Sequence, residues 1–329
     1  MPLFDAYLFV DWSSANRPTS AKPRRDAIWI GELGPLGAPE AAVATEIVGG
    51  EIASEVYVRT RSAAAEHARD RLLMHVERGN RVLVGFDFPY GYPAGFAVGL
   101  GLVGEAPWRA VWDELSARVA DDTPGPNNSN RFEVAAQLNG LFGAPAGPFW
   151  GCGNAVAPPG LGHTMKGLFT FPLTGRRGLA VERLRWTEKA LKRVQESWKL
   201  AYAGSVGSQA VLGIPYVRAL RDDKILSPVS RVWPFESGFV GDPAHGLTPG
   251  VLHAEIWPGI VPDPHVRAAV EETGAIRDQA QVRLVCTRIR EMDVGGDLPG
   301  LFALPHLNDQ QRRVAIHEEG WILGAVPRP

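Results

Sequence analysis

The chain has 329 residues, 45% of them hydrophobic and 21% charged, with a net charge of −2, the composition of an ordinary globular protein long enough for one large domain or a core carrying an insertion. That near-neutral balance excludes a chain-wide electrostatic trap for nucleic acid, and two cysteines, Cys152 and Cys286, exclude a disulfide scaffold or a Cys-rich zinc site and suit a reducing cytoplasm. The opening MPLFDAYLFVDWSS lacks a basic n-region, and no apolar run approaches the roughly 20 residues of a membrane span, so the expectation is a cytoplasmic protein with no signal peptide and no membrane partner.

Taken in chain order, residues 6–11 and 26–33 read as two strands, with 43–48 as a third. Residues 60–78 predict a helix, capped by Thr60 or Ser62 and followed by Gly79. RVLVGFD at 81–87 is a nearly continuous apolar run, as expected of a strand buried on both faces. From Phe88 onward, helical patterns at 107–119, 131–141 and 181–202 alternate with loops rich in Gly, Pro and Asn, and strand alternation is absent. Strand patterns return at 231–236 and 251–257, and helices at about 275–290 and 308–318 follow. The division implied is a core of 1–89 and 228–329 interrupted by an α-rich insertion at 90–227.

Some motifs fail on context. GLGLVG at 99–104 fits G-x-G-x-x-G, but Pro89 and Pro93 spoil the strand that should precede it. HAE at 253–255 lacks the P-C-x-x-C that a zinc deaminase needs. Residues 176–199 carry eight basic residues (Arg176, Arg177, Arg183, Arg185, Lys189, Lys192, Arg193 and Lys199) against Glu182, Glu188 and Glu196. With Leu184, Leu191, Val194 and Trp198 at helical spacing, most of these charges read as the solvated face of an amphipathic helix. GSVGSQ at 204–209 is either an anion cradle of backbone N–H groups, or a turn in which Ser205 or Ser208 caps the next helix.

The acids are more telling. Asp11 and Asp87 each end an apolar strand and are followed at once by small or turn-forming residues, WSSA and FPYG. A carboxylate directly after a buried run costs free energy unless it is paired. Phe88 precedes Pro89 and is held extended, so Asp87 should project at the strand tip. Glu255 lies in a third apolar stretch, with Glu236 in VWPFE as its rival, and Asp278 sits one turn into a helix, whose N-terminus favours the ionised form. In open α/β sheets ligands bind beyond the carboxyl ends of strands. Oxygen-only ligands of this kind select Mg²⁺ or Mn²⁺. The competing reading is a set of caps and surface ion pairs.

On VDWSSA with Asp11, GFDFPYG with Asp87, AEIWP with Glu255, IRDQAQV with Asp278, NRFEVAAQLN, K-x₄-GSVGSQ and the closing EEGWILG, the chain resembles the ribonuclease H-like superfamily. Within it, the chain is similar to a family of predicted nucleases, a domain of unknown function. The resemblance implies an α/β fold, a ribonuclease H-like mixed sheet flanked by helices with a large α-rich insertion after the fourth strand. It implies acids from the first strand, the fourth strand and the last helix holding divalent metal, places that Asp11, Asp87 and Asp278 occupy. The expected function is a metal-dependent phosphodiester hydrolase with Asp11, Asp87, Asp278 and Glu255 as catalytic acids. Lys199, Ser13, Ser14, Ser205 and Ser208 would neutralise or bind the phosphate of a nucleic acid or nucleotide. The alternatives are an actin-like nucleotide-binding phosphotransferase or ATPase, with Asp11, Ser13 and Ser14 near phosphate and Mg²⁺, or a non-catalytic binding module on the same fold.

Overall fold

The structure, a computed structural model, describes residues 1–326 except Leu36, Ala38, Gly49, Glu105, Thr123, Pro124, Pro145, Lys192 and Arg193. The chain begins with β1 (Ala6–Asp11), β2 (Ile28–Gly34), β3 (Ala42–Val48), β4 (Glu51–Val58), α1 (Arg61–Glu77) and β5 (Arg81–Phe86). It continues through α2 (Phe96–Leu100), α3 (Pro107–Arg118), α4 (Arg131–Phe142), β6 (Leu173–Thr174), β7 (Ala180–Val181), α5 (Trp186–Ala190) and α6 (Gly207–Arg221). There follow β8 (Ser230–Val232), β9 (Gly250–Ile256), α7 (Asp263–Thr273), α8 (Arg277–Gly295), α9 (Leu298–Ala303), α10 (Asp309–Val314) and β10 (Ile322–Leu323). Two compact units result, Met1–Asp87 with Ala219–Pro305, and Phe88–Arg218 with the segment from His306 on. That closing segment clusters with the second unit, whereas the sequence assigns it to the core. Among the described residues no helix is long and apolar enough to cross a membrane.

The first unit is built on a mixed sheet running β3-β4-β2-β1-β5-β9, with β8 also paired to β9. Strands β1, β5 and β9 are mutually parallel in that order, while β2 is antiparallel to both β1 and β4. The parallel strands are buried almost throughout, as their continuous apolar runs require. Four strands precede α1, one more than the sequence suggests. In β4 the polar Ser54 and Glu55 are buried between Ala53 and Val56, so the alternation that marks a half-buried strand is broken. Asp87 consequently follows the fifth strand of the chain.

A helix covers each face, because neighbouring strand residues point to opposite sides. On one side Glu32 is buried against α1, where Arg71 grips it with two hydrogen bonds of 2.6 and 2.7 Å and His75 Nε2 lies 3.0 Å away. Burial alone would raise this carboxyl, but the hydrogen bonds from His75 and Arg71 hold it below its ordinary value. Thr60 caps α1 by accepting from the Ala63 N–H, and Gly79 follows the helix at φ +79°, as the sequence suggests.

On the other side α8 lies against β1 and β2. Gly31 faces Val282 so closely that a Cβ there would stand 2.7 Å from the helix backbone. At the C-terminal end of α8, Asp293 accepts the N–H groups of Leu3 and Phe4 and the Tyr7 hydroxyl at 2.6 Å. The N-terminal end is held by Asp278, which accepts the Asp26 N–H at 2.7 Å. The helix is therefore fixed at both ends and pressed onto the sheet between them.

In the second unit the helix expected over 181–202 does not form as such; among the described residues of that span only Trp186–Ala190 is helical. Trp198 is fully buried against the rings of Tyr92, Phe96 and Phe149, and its Nε1 donates to the Glu182 carbonyl. Arg185, also fully buried, pairs with Glu188 at 2.8 Å and donates to the Glu319 carbonyl. Tertiary burial of an indole and a guanidinium thus overrides the local periodicity. The basic residues of this window are taken up internally. Arg176 and Arg177 donate to the carbonyls of Gly140 and Gly99, and Arg183 pairs with Glu196; Lys192 and Arg193 lie outside the described residues. A short hairpin, β6 with β7, occupies a stretch read as strand-free.

The EEGWILG segment has a structural role here. Glu318 accepts the Gly95 N–H, and Glu319, buried, accepts those of Ala94 and Trp186 at 3.0 and 2.7 Å.

Two outcomes are expected. Gly31→Ala should destabilise the protein by about 1–3 kcal/mol, because the new methyl overpacks a helix that cannot retreat; denaturant unfolding measures this, and a neutral substitution would show that α8 is loosely seated. Burial, outweighing the donors around it, raises Glu319 from 4.5 to about 7. A raised carboxyl contributes stability that is present below about 4.5 and lost as pH rises through about 7, on the order of 3 kcal/mol for this shift. Glu319→Gln should therefore flatten the fall in melting temperature between pH 5 and 8 relative to the parent.

Candidate functional site

The cluster of interest belongs wholly to the first unit and forms at the carboxyl ends of β1 and β5. These strands are adjacent and parallel, with Val10 level with Phe86, so Asp11 and Asp87 leave the sheet side by side. Each carboxyl is close enough to the other to shift its pKa. The Trp12 N–H donates to Asp87 Oδ1 at 2.8 Å and so fixes the carboxyl that Asp11 faces. Strand burial and parallel register, both local consequences of the apolar runs, are what bring the two acids together.

Electrostatics make this arrangement costly. Burial first, then repulsion from Asp87 and Asp278, raises Asp11 well above the carboxylate range. Asp87 rises to about 7, burial outweighing the hydrogen bonds from the Trp12 N–H and Asp11. Two close carboxylates resist joint ionisation, so the pair takes up a proton more readily than two separate acids would.

Asp278 is the second residue of α8 and reaches the same edge. Its pKa is raised by burial, which the Asp26 N–H and the charges of Arg25 and Arg277 oppose. Oδ2 accepts the Asp26 N–H, while Oδ1 has no hydrogen-bond partner among the described residues. Asp26 adopts φ +55°, a left-handed conformation that aspartate tolerates better than most residues, and this turns its N–H toward Asp278. Sequence reasoning misses Asp26, since its part is played by a backbone N–H and leaves no side-chain signal.

The other expected residues lie elsewhere. Glu255 is level with Phe86 in the β5–β9 register, so the pleat places it on the face opposite Asp11 and Asp87, outside their cluster. Its rival Glu236 is held by Arg221 at 2.7 Å and accepts the Val232 N–H, the work of a structural ion pair. Ser13 Oγ accepts the Ala15 N–H, and the carbonyls of Ser13 and Ala15 are taken by Arg61; Ser14 sits in the same turn. Lys199, Ser205 and Ser208 belong to the second unit. Lys199 Nζ donates to the Ala203 carbonyl at 2.7 Å, the Ser205 N–H to Tyr202 and the Ser208 hydroxyl to Leu200. The Gly207 N–H donates to the Lys199 carbonyl, and a Cβ at Gly207 would meet that oxygen at 2.5 Å. GSVGSQ is therefore the lead-in and first turn of α6, with Gly207 required by close packing.

Comparison of the chain with protein-family models, with curated proteins and with solved structures finds no match.

Among the described residues no three His, Cys, Asp or Glu side chains already stand close enough to enclose a metal ion. The donor chemistry of the Asp11–Asp87 pair nonetheless fits a hard divalent cation. The pair offers only oxygens, it is half-buried, and a cation would relieve the repulsion between the two carboxylates.

The charge penalty gives a prediction. Asp11→Asn and Asp87→Asn keep shape and remove one charge, so in chelator each should melt at or above the parent's temperature. The parent alone should gain on addition of Mn²⁺, by about 2.7 kcal/mol at a metal concentration a hundred times Kd. Thermal melts with chelator and then with metal measure both; variants that melt several degrees lower in chelator would mark the pair as scaffold.

Proposed function

We propose that the protein is a metal-dependent phosphodiester hydrolase of the ribonuclease H-like type. The observation that carries this reading is the Asp11–Asp87 pair of carboxyls at the tips of two adjacent parallel strands. Support also comes from topology. The acids come from the first strand, from the strand after the first helix and from α8; the resemblance implies the first strand, the fourth strand and the last helix, so Asp87 is one strand later and Asp278 two helices earlier than that pattern. The β3–β4 hairpin is then an extension of the sheet edge.

Asp11 and Asp87 would hold a Mg²⁺ or Mn²⁺ ion, with Asp278 Oδ1 available as a further donor. Bound there, such an ion supplies positive charge to the phosphoryl oxygens and lowers the pKa of a bound water. The chain's own groups prepare the position. The Trp12 N–H keeps Asp87 aimed at Asp11, and the Asp26 N–H keeps Asp278 at the strand ends. Any proton that the raised pKa values of Asp11 and Asp87 keep on the pair would be displaced on binding a cation, as with any carboxylate ligand.

Hydrolysis of bis(p-nitrophenyl) phosphate, followed by release of p-nitrophenol, tests the reading. Activity should require Mn²⁺ or Mg²⁺, vanish in chelator, and fall at least a hundredfold in Asp87→Asn, while Glu255→Gln keeps most of it. Full activity in Asp87→Asn would remove the acids from the chemistry.

A further inference from the structure

We propose that the loop joining β1 to β2, residues 12–27, is the arm that holds the anionic flank of the substrate, with Lys22, Arg24 and Arg25 as its phosphate contacts. This rests on the phosphodiester reading and assigns the counter-charge of that site to its own unit. The loop leaves the sheet at Asp11 and, before re-entering it at Ile28, donates the Asp26 N–H to Asp278 at 2.7 Å. Both ends of the loop thus touch the acid cluster.

Its path is fixed mainly through the main chain. Arg61, fully buried, donates to the carbonyls of Ser13 and Ala15 at 2.9 and 2.8 Å. Arg59 donates to Thr19, the Tyr57 hydroxyl to Ser20, and the Trp29 indole to Arg24, all to carbonyls at 2.8–3.0 Å. These donors hold the backbone, and the basic side chains among them are left exposed. Lys22, Arg24 and Arg25 are exposed, and none makes an ion pair among the described residues. Arg24 donates only to the Arg25 carbonyl. In a chain of net charge −2, whose other basic cluster at 176–199 is largely taken up by internal partners, three unpaired cations within four residues are an exception. Arg25 lies near enough to the cluster to lower the pKa of Asp278, so the charge of the loop is felt at the site.

Three residue steps span at most about 10 Å. A nucleic-acid strand presents a phosphate every ~3.4 Å of axis, so the three cations match successive phosphates of one strand better than the single phosphate of a mononucleotide.

Fluorescence anisotropy of a labelled 20-nucleotide single-stranded DNA, titrated with the full chain in chelator at stepped salt, tests this without calling on hydrolysis. The parent should bind with an affinity that falls as salt rises. The variant Lys22→Ala/Arg24→Ala/Arg25→Ala should bind at least tenfold more weakly, with a log–log salt slope smaller by about 2, as expected for three lost single-strand phosphate contacts. Its melting temperature should match the parent's, because these side chains are exposed and make no ion pair among the described residues. Arg267→Ala/Arg288→Ala/Arg313→Ala, which removes three charges elsewhere, should bind as the parent does. Absence of parent binding would overturn the proposal, as would an unchanged slope in the loop variant or equal weakening by the control. Competition by thymidine monophosphate as effective as that of the oligonucleotide at equal nucleotide concentration would also overturn it. Because no metal is present, a protein that fails to hydrolyse any diester still gives a clear answer here.

Discussion

The first unit depends on how closely one helix approaches the sheet. Only a residue without a Cβ lets α8 rest on β2 at Gly31, and that contact sets the height of the whole helix. From there Asp293 ties down one end at Tyr7 and the backbone of Leu3 and Phe4, and Asp278 ties the other at Asp26. The helix thus carries a carboxylate to the strand tips by rigid geometry, and rigid elements position functional groups better than loops do. The Glu32–Arg71–His75 cluster secures the opposite face in a different way, by a fully hydrogen-bonded buried charge.

Against that scaffold the Asp11–Asp87 pair stands out as a local conflict. Elsewhere in this unit a buried acid has a cationic or hydrogen-bonding partner: Glu32 has Arg71, and Glu55 has Gln279 with Arg283 at 3.6 Å. Asp11 and Asp87 have mainly each other. Proteins tend to break their own packing rules where function demands it, and this is the place in the sheet where two acids are set together at the tips of adjacent parallel strands. The basic loop that begins at Asp11 gives the same region a second charge sign.

Much of this was readable in the sequence where the signal is local. The apolar runs ending in Asp11 and Asp87 announce buried parallel strands, and the tip positions follow from the residues that come next. Asp278 is equally visible as an acid in the first turn of an amphipathic helix. The face that Glu255 takes is not legible in the sequence because it depends on register, and a shift of one residue in pairing moves a side chain to the other side of the sheet. β4 escaped notice because Glu55 and Ser54 are buried polar residues, and the helix expected over 181–202 failed because Trp198 and Arg185 are buried by distant partners. Lys199 and GSVGSQ look like phosphate binders by residue type alone; their carbonyl partners, set by the turn itself, are invisible until the chain is folded. Asp26 and the anchors of the β1–β2 loop act through backbone groups and so leave little trace in side-chain patterns.

The partners of Glu319 bear on how the protein reaches its native state. The N–H groups of Ala94 and Trp186 find their acceptor 225 and 133 residues further along the chain. Contacts across such separations must overcome a large loop-closure entropy before they contribute anything. The second unit is consequently a late assembler. Its early helices can form, but the carboxyl that joins Ala94 to Trp186 arrives only after the chain has left this unit, completed β9 and α8, and returned.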